Sequence, residues 1–302
     1  MIASFALVLL LGFELCYYLL IVQTGIVSHY NSDLITLFPM FIGGVLGTFI
    51  AGRVWWKIKN PIHKIMLALF LQLILSFLYP NYNFFTLALL GLSVGIMAPL
   101  GIYLFKSKQK KELMLALGIA YTLGTYFFYY NADNRVEMAL FFTAIALMSA
   151  FILRNYKVEI DTKELSLSFS NYLPLMFWIF LDSNLFETLS RHENINIWTN
   201  FTFTIIASHL LGLMAACFVN ISKFKKYLLI NILFIGSYLL SYLELPIVLA
   251  IVYPFVISYY NVVIFSILSK EMSLAKLSFI MIFVGWLASG FGLALALSKL
   301  LH

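Results

Sequence analysis

The sequence is short of charge. Only 11% of its 302 residues are Asp, Glu, Lys or Arg, whereas 63% are hydrophobic and the mean hydropathy is +0.96. A soluble globular protein averages about 25% charged residues, so this chain has too few polar side chains to cover a water-soluble fold. The apolar runs extend from one end to the other, which excludes a soluble domain with a single anchor. We therefore expect an integral membrane protein.

Cysteine and metal-binding patterns are also scarce. The two cysteines, Cys16 and Cys217, lie inside apolar segments, which argues against a disulfide framework or a thiolate metal site. The sequence has no histidine pair at metal-binding spacing, no nucleotide-binding loop and no long polar stretch for a soluble catalytic domain. We therefore expect no cofactor, no resident metal and no enzymatic activity.

What the sequence does contain is a series of apolar segments of about 20 residues, the length that crosses a bilayer as a helix. Eleven helices are predicted, at 2–23, 34–57, 63–80, 83–105, 112–130, 136–153, 170–188, 197–220, 226–243, 245–269 and 273–299. The first has no basic leader and no small-residue cleavage site, so we expect it to be retained as a helix.

Basic residues concentrate in alternate joints between these helices, which is typical of cytoplasmic loops. Sixteen of the nineteen share one side: Arg53, Lys57, Lys59, Lys64, Lys106, Lys108, Lys110, Lys111, Arg154, Lys157, Lys163, Lys223, Lys225, Lys226, Lys270 and Lys276. The pattern predicts a multi-pass protein of the bacterial inner membrane with a cytoplasmic N-terminus and a periplasmic C-terminus. The net charge of +6 is then a topology signal, so no nucleic-acid partner is needed.

The longest polar joint separates six predicted helices from five. It predicts an N-terminal six-helix bundle at 1–154, a cytoplasmic linker at 155–169 and a C-terminal five-helix bundle at 170–302. Small residues at a spacing of four, Gly43 with Gly47 and Gly91 with Gly95, predict close helix packing in the first bundle.

The segments 43–53 and 91–101 carry the most distinctive local sequence. The first ends in Gly52 and continues into the basic residues Lys57 and Lys59, and the second reads Gly-Leu-Ser-Val-Gly. Together with the six-helix first half and its linker, they resemble the major facilitator superfamily. The resemblance implies an all-α polytopic membrane protein of two helical bundles, six plus five helices, that works by alternating access. Three features depart from that family: Trp56 replaces an aspartate, the fifth helix lacks a Gly-Pro motif, and there is no twelfth helix.

Two acids interrupt the apolar spans at equivalent positions, Glu14 in the first helix and Asp182 in the seventh. An ionised carboxylate at such a depth costs several kcal/mol, and acids retained there are commonly functional. Transporters place substrate and coupling-ion sites near mid-membrane at the interface of their repeats. We expect Glu14 and Asp182 to bind a proton or a substrate, with Tyr18 on the Glu14 face. The competing interpretation is a neutral acid that is hydrogen-bonded between helices for structure.

Other polar side chains within spans are weaker candidates. His209 could relay a proton, and Thr122 and Asn261 belong to polar faces that the resemblance places at the central cavity. Helix packing is the alternative interpretation of each. Glu187, near a helix end, is expected to be solvated, and Trp198 to anchor its helix at the membrane interface.

The sequence thus predicts a secondary active transporter that moves a small solute or ion, with a proton as the candidate coupling ion. Its expected partners are that substrate and membrane lipids, and we expect a monomer. The alternative is a non-transporting scaffold or assembly factor with a degenerate transporter fold, favoured by the short chain and the missing helix. Replacing Glu14 by Gln is expected to abolish coupled transport but to leave a folded protein.

Overall fold

The computed structural model describes residues 2–30, 33–53, 58, 60–106, 110–156, 169–191, 195–270 and 273–298. Its helices are α1 Ile2–His29, α2 Leu34–Ala51, α3 Pro61–Ser76, α4 Phe84–Leu104, α5 Lys110–Tyr126, α6 Val136–Ile152, α7 Leu173–Arg191, α8 in two pieces (Ile197–Asn200 and Thr202–Phe218), α9 Lys223–Tyr242, α10 Pro246–Leu268 and α11 Leu274–Leu297. Each corresponds to one predicted helix. Several predictions concern residues outside the described ones: Trp56, Lys57, Lys59, Lys108, Lys157, Lys163 and most of the linker 155–169.

The described part of the chain is an all-α membrane protein. Six helices in it are long and apolar enough to cross a bilayer, namely α1, α2, α4, α9, α10 and α11. Three further apolar segments are shorter: α3, α6 and the main piece of α8. The remaining two, α5 and α7, carry more charge, and in α7 that charge includes Asp182.

The helix starts follow local capping chemistry. Asn60 accepts a hydrogen bond from the Ile62 N–H, and Pro61 occupies the first helical position, which needs no N–H donor. For this reason α3 begins two residues before its predicted start. Asn83 caps α4 through a reciprocal hydrogen-bond pair with Thr86, and Ser222 caps α9.

The end of α2 differs from its prediction, which ran to residue 57. The helix ends at Ala51, and the Lys64 ammonium donates hydrogen bonds to the carbonyls of Ala51 (3.1 Å) and Arg53 (2.6 Å). A cation at a helix C-terminus satisfies exposed carbonyls and interacts favourably with the helix dipole. Lys64, predicted to lie in a basic joint, is instead only 1% exposed.

Helix packing follows a regular scheme. In the first six helices, α1 contacts α5 and α6, α2 contacts α4, and α3 contacts α4 and α6. In the last five, α7 contacts α9 and α11, while α10 contacts α8 and α9. The two sets are connected by α5, which packs on α8 and α10, and by α11, which packs on α2 and α4.

Glycine permits the closest of these contacts. A Cβ atom added to Gly91 would lie 2.0 Å from the Met40 carbonyl oxygen, and one on Gly43 would lie 2.0 Å from that of Ala88. The backbones of α2 and α4 therefore touch, which confirms the predicted small-residue packing. Gly212 likewise brings α8 close to α10, since a Cβ atom there would lie 2.4 Å from the Phe255 carbonyl oxygen.

Candidate functional site

The middle of α1 changes helix type. Residues Tyr18–Ile26 form a π-helix, which has a wider turn and is common at functional sites. Arg135, only 3% exposed, stabilises this segment by donating hydrogen bonds to the Leu20 carbonyl (2.7 Å) and the Thr24 hydroxyl (2.7 Å). Its other donors reach the carbonyls of Phe128 and Tyr130. The guanidinium thus replaces its hydration by backbone oxygens and holds α1 to the joint before α6.

Glu14 lies inside the first set of helices. Its Oε2 accepts a hydrogen bond from the Gln72 amide of α3 at 3.0 Å, and the same Nε2 donates to the Thr143 hydroxyl of α6 at 3.2 Å. Glu14 is 7% exposed, and Gln72 and Thr143 are fully buried. We refer to these three residues as the Glu14 cluster. The Glu14 carboxylate therefore faces α3 and α6, not the second set of helices.

The two tyrosines after Glu14 diverge. Tyr17 contacts the Ser76 hydroxyl of α3 through its own hydroxyl at 3.3 Å. Tyr18, the first π-helical residue, lies within electrostatic range of Asp182 and Glu187 of α7. Tyr18 therefore belongs to the interface between the two sets of helices, whereas Glu14 and Tyr17 belong to the interior of the first set.

Asp182 is held by two phenols of α10. The Tyr253 hydroxyl donates to Oδ1 at 2.8 Å, and the Tyr260 hydroxyl donates to Oδ2. Both tyrosines are buried, at 0% and 2% exposure, whereas Asp182 itself is partly exposed. These contacts fix the rotamer of the carboxylate, so that its position is set by the packing of α7 on α10.

His209 is the second polar group of this region. Its Nδ1 lies 2.7 Å from the Ser258 hydroxyl of α10, and its ring stacks on Tyr121 of α5 with centroids 4.5 Å apart and an interplanar angle of 6°. The Tyr121 hydroxyl in turn neighbours the amide of Asn261. His209 thus links α5 of the first set to α10 of the second.

These side chains form one composite site, which we call the Asp182 site. Its members come from both sets of helices. Tyr18, Tyr121, Tyr253 and Tyr260 lie around the carboxylate of Asp182, and His209 and Asn261 join them through Tyr121.

The predicted site residues divide into three places. Asp182, Tyr18, His209 and Asn261 come together, Glu14 lies in its own cluster, and Thr122 lines a separate groove. That groove, about 660 Å³, lies between α1, α5 and α8, and Thr122 is the most polar of its otherwise apolar lining residues.

Two predictions about neighbouring residues are wrong. Trp198 is 4% exposed and packs between Phe186 and His209, because α8 is broken at Phe201 and its first turn folds inwards. Glu187 is 4% exposed and forms an ion pair with Arg191 at 2.6 Å, one turn later on the same helix.

Sequence reasoning also missed two residues that contact the candidate site residues. Gln72 is not among the predicted site residues, although a glutamine within an apolar span needs a buried partner. Tyr121 is not among them either, because the predicted polar face of α5 runs through its neighbour Thr122. In both cases the residue type was visible, but the helix that would supply its partner was not.

The sequence matches no protein-family model, and no curated protein is significantly similar to it.

Proposed function

We propose that the protein is a secondary active transporter, related in plan to the major facilitator superfamily, that moves a small solute across the bacterial inner membrane by alternating access. The observation that carries the proposal is the Asp182 site. There, side chains of α1 and α5 meet side chains of α7, α8 and α10 near Asp182, a partly exposed residue. A polar site shared by two sets of helices can be exposed to either side of a membrane as the sets rock against each other.

The packing scheme supports two related bundles. The pair α1 and α5 has a counterpart in α7 and α11, the pair α2 and α4 in α8 and α10, and the pair α3 and α4 in α9 and α10. Such repetition is expected of a transporter built from two structural repeats. It also makes α1 the counterpart of α7, so that Tyr18 and Asp182 approach the site from equivalent helices.

In this proposal the two acids have separate roles. Asp182 contacts the cargo, and Glu14, screened from it by the body of α1, is the proton-binding site. Glu14 has no basic partner among the described residues, and its hydrogen-bond donor is a neutral amide. A proton is then the cation that best compensates its burial.

One observation favours the non-transporting scaffold instead. Both oxygens of Asp182 already accept a tyrosine hydroxyl, so the carboxylate is satisfied without a ligand. In a scaffold these contacts would be permanent packing interactions, whereas in a transporter they open when cargo arrives.

Access from both sides separates these two functions, and it can be measured without knowing the cargo. In a variant lacking Cys16 and Cys217, Asn261→Cys is labelled with a membrane-impermeant thiol reagent in sealed right-side-out and inside-out vesicles. Alternating access predicts labelling from both sides. The control, Thr143→Cys, replaces a fully buried residue of α6 and should stay unlabelled. Labelling of Asn261→Cys from one side only, or from neither, would refute the transporter.

A further inference from the structure

The charge of Asp182 has no basic counterpart. The described residues contain two ion pairs, His29 with Asp133 and Glu187 with Arg191, and neither involves Asp182. Arg191 neutralises Glu187, the other carboxylate near Tyr18, and the Nδ1 of His209 is hydrogen-bonded to the Ser258 hydroxyl. Tyrosine hydroxyls stabilise an anion without cancelling its charge. The site therefore offers one negative charge without a basic partner, on a residue that is partly exposed.

Trp198 supplies a second group that lacks a partner in the described part of the chain, a hydrogen-bond donor. Its indole nitrogen is buried and has no hydrogen-bond partner among the described residues. The ring lies next to the site, with its centroid 6.4 Å from that of Tyr253 and 6.4 Å from that of His209. Because buried donors are almost always paired, this N–H is suited to an acceptor that enters from outside the protein.

We infer that the Asp182 site binds a small organic monocation that also carries a hydrogen-bond acceptor, an inference that rests on the proposed function of that site. Asp182 pairs with the cationic group, and the Trp198 N–H donates to the acceptor. The aromatic rings of Tyr121, Phe186 and Trp198 line the region, and faces of aromatic rings attract cations.

The available ligands explain why an organic cation fits better than a metal ion. Calcium takes six to eight oxygen ligands and magnesium near-octahedral coordination, usually with further carboxylates. The described residues contain no group of three or more His, Cys, Asp or Glu side chains that could hold a metal. The Asp182 site provides one carboxylate among phenols, an amide and an imidazole, with the Trp198 indole beside them. This set suits a single positive charge on an apolar body.

Matched ligand pairs test this inference on the purified full-length protein in detergent. Choline is compared with its neutral isostere 3,3-dimethylbutan-1-ol, and tyramine with the neutral alcohol of the same skeleton. Dissociation constants are measured by isothermal titration calorimetry at one pH. We expect at least one cation to bind about tenfold or more tightly than its neutral partner, because only the cation is attracted by the charge of Asp182. Tyramine can also donate an N–H to the carboxylate, whereas choline has no N–H and interacts through its charge alone.

Two variants locate the effect. Asp182→Asn should abolish the preference for the cation, and Trp198→Phe, which keeps the ring but removes the N–H, should weaken cation binding about fivefold and leave the preference. Glu187→Gln, the control carboxylate, should retain it. The wild-type comparison tests the inference even if a variant does not fold. Equal affinity within both pairs, or a preference that survives in Asp182→Asn, would overturn it.

Transport and cation recognition fail separately in these experiments. Cation binding together with one-sided labelling of Asn261→Cys would uphold the cation site and refute the transporter. Two-sided labelling without a cation preference would uphold the transporter and refute the cation site.

Discussion

Replacing Glu14 by Gln tests the chemistry of the Glu14 cluster. In the structure the Gln72 Nε2 donates to Glu14 and Thr143, but the Gln72 Oε1 is buried without a donor. A protonated Glu14 carries one O–H, which could reach that oxygen and close a two-bond ring with the amide. Gln at position 14 offers an N–H in the same place. The substitution therefore reproduces the neutral acid and satisfies both side chains.

The expected magnitudes follow from this geometry. Glu14→Gln should change the free energy of unfolding by no more than about 0.5 kcal/mol, as for a substitution that removes no interaction. Glu14→Leu has a similar volume but leaves Gln72 without its partner, which costs about 1–3 kcal/mol for a buried polar group. Thr143→Val, which removes only the second acceptor of Gln72, should fall between the two.

The assay is reversible denaturation in detergent micelles near neutral pH, together with infrared detection of a protonated carboxyl group. The wild type should show a carboxylic-acid band that Glu14→Gln lacks. In vesicles, Glu14→Gln should also lose coupling to a proton gradient, since it cannot release a proton. A loss of more than about 1 kcal/mol in Glu14→Gln, with Glu14→Leu no worse, would show that Glu14 is ionised and refute the reasoning.

Three further predictions concern stability. Gly91→Ala forces the backbones of α2 and α4 apart and should clearly lower the thermal midpoint of unfolding. The control Gly236→Ala has open space at its Cβ and should be neutral or stabilising by up to about 1 kcal/mol. Equal effects of the two substitutions would contradict the packing described. The lysine in Arg135→Lys cannot reach all the carbonyls that the guanidinium contacts. The substitution should therefore lower the free energy of unfolding by at least about 2 kcal/mol in the same denaturation assay and make the π-helix more susceptible to proteolysis. Unchanged stability and protease resistance would refute that role of Arg135. Asp33 caps α2, and the hydrogen bonds that it accepts, first from the Thr36 hydroxyl, lower its pKa. The stabilising effect of its carboxylate is therefore present above the unfolded pKa of about 3.9 and is lost as the pH falls. The thermal midpoint of Asp33→Asn should vary less with pH in this range than that of the wild type, and identical slopes would contradict this prediction.

The helices were largely predictable because their causes are local. Apolar runs of bilayer length and capping residues such as Asn60 and Asn83 lie within one segment, so each helix can be placed without knowing its neighbours. Prediction failed where the cause was distant. The end of α2 depends on Lys64, a side chain of the next helix.

The candidate site was predictable in its residue types but only partly in its arrangement. An acid, a histidine and an asparagine inside apolar spans stand out because polar side chains are energetically costly in lipid. Asp182, His209 and Asn261 do belong to one site. Glu14 stands out for the same reason yet lies elsewhere. Spacing along one helix cannot say whether a side chain faces its own bundle or the other one.

The amino-acid sequence alone indicates a helical membrane protein and shows which polar groups within its spans need an explanation, because the cost of polarity in lipid is a property of each segment. How those groups are paired follows from the packing of the helices. This packing joins Glu14 to Gln72 and Asp182 to two tyrosines of α10, and it places Trp198 in the core, not at the expected interface. Such pairings depend on the rotation and depth of neighbouring helices, which are set by side-chain packing between segments distant in the chain.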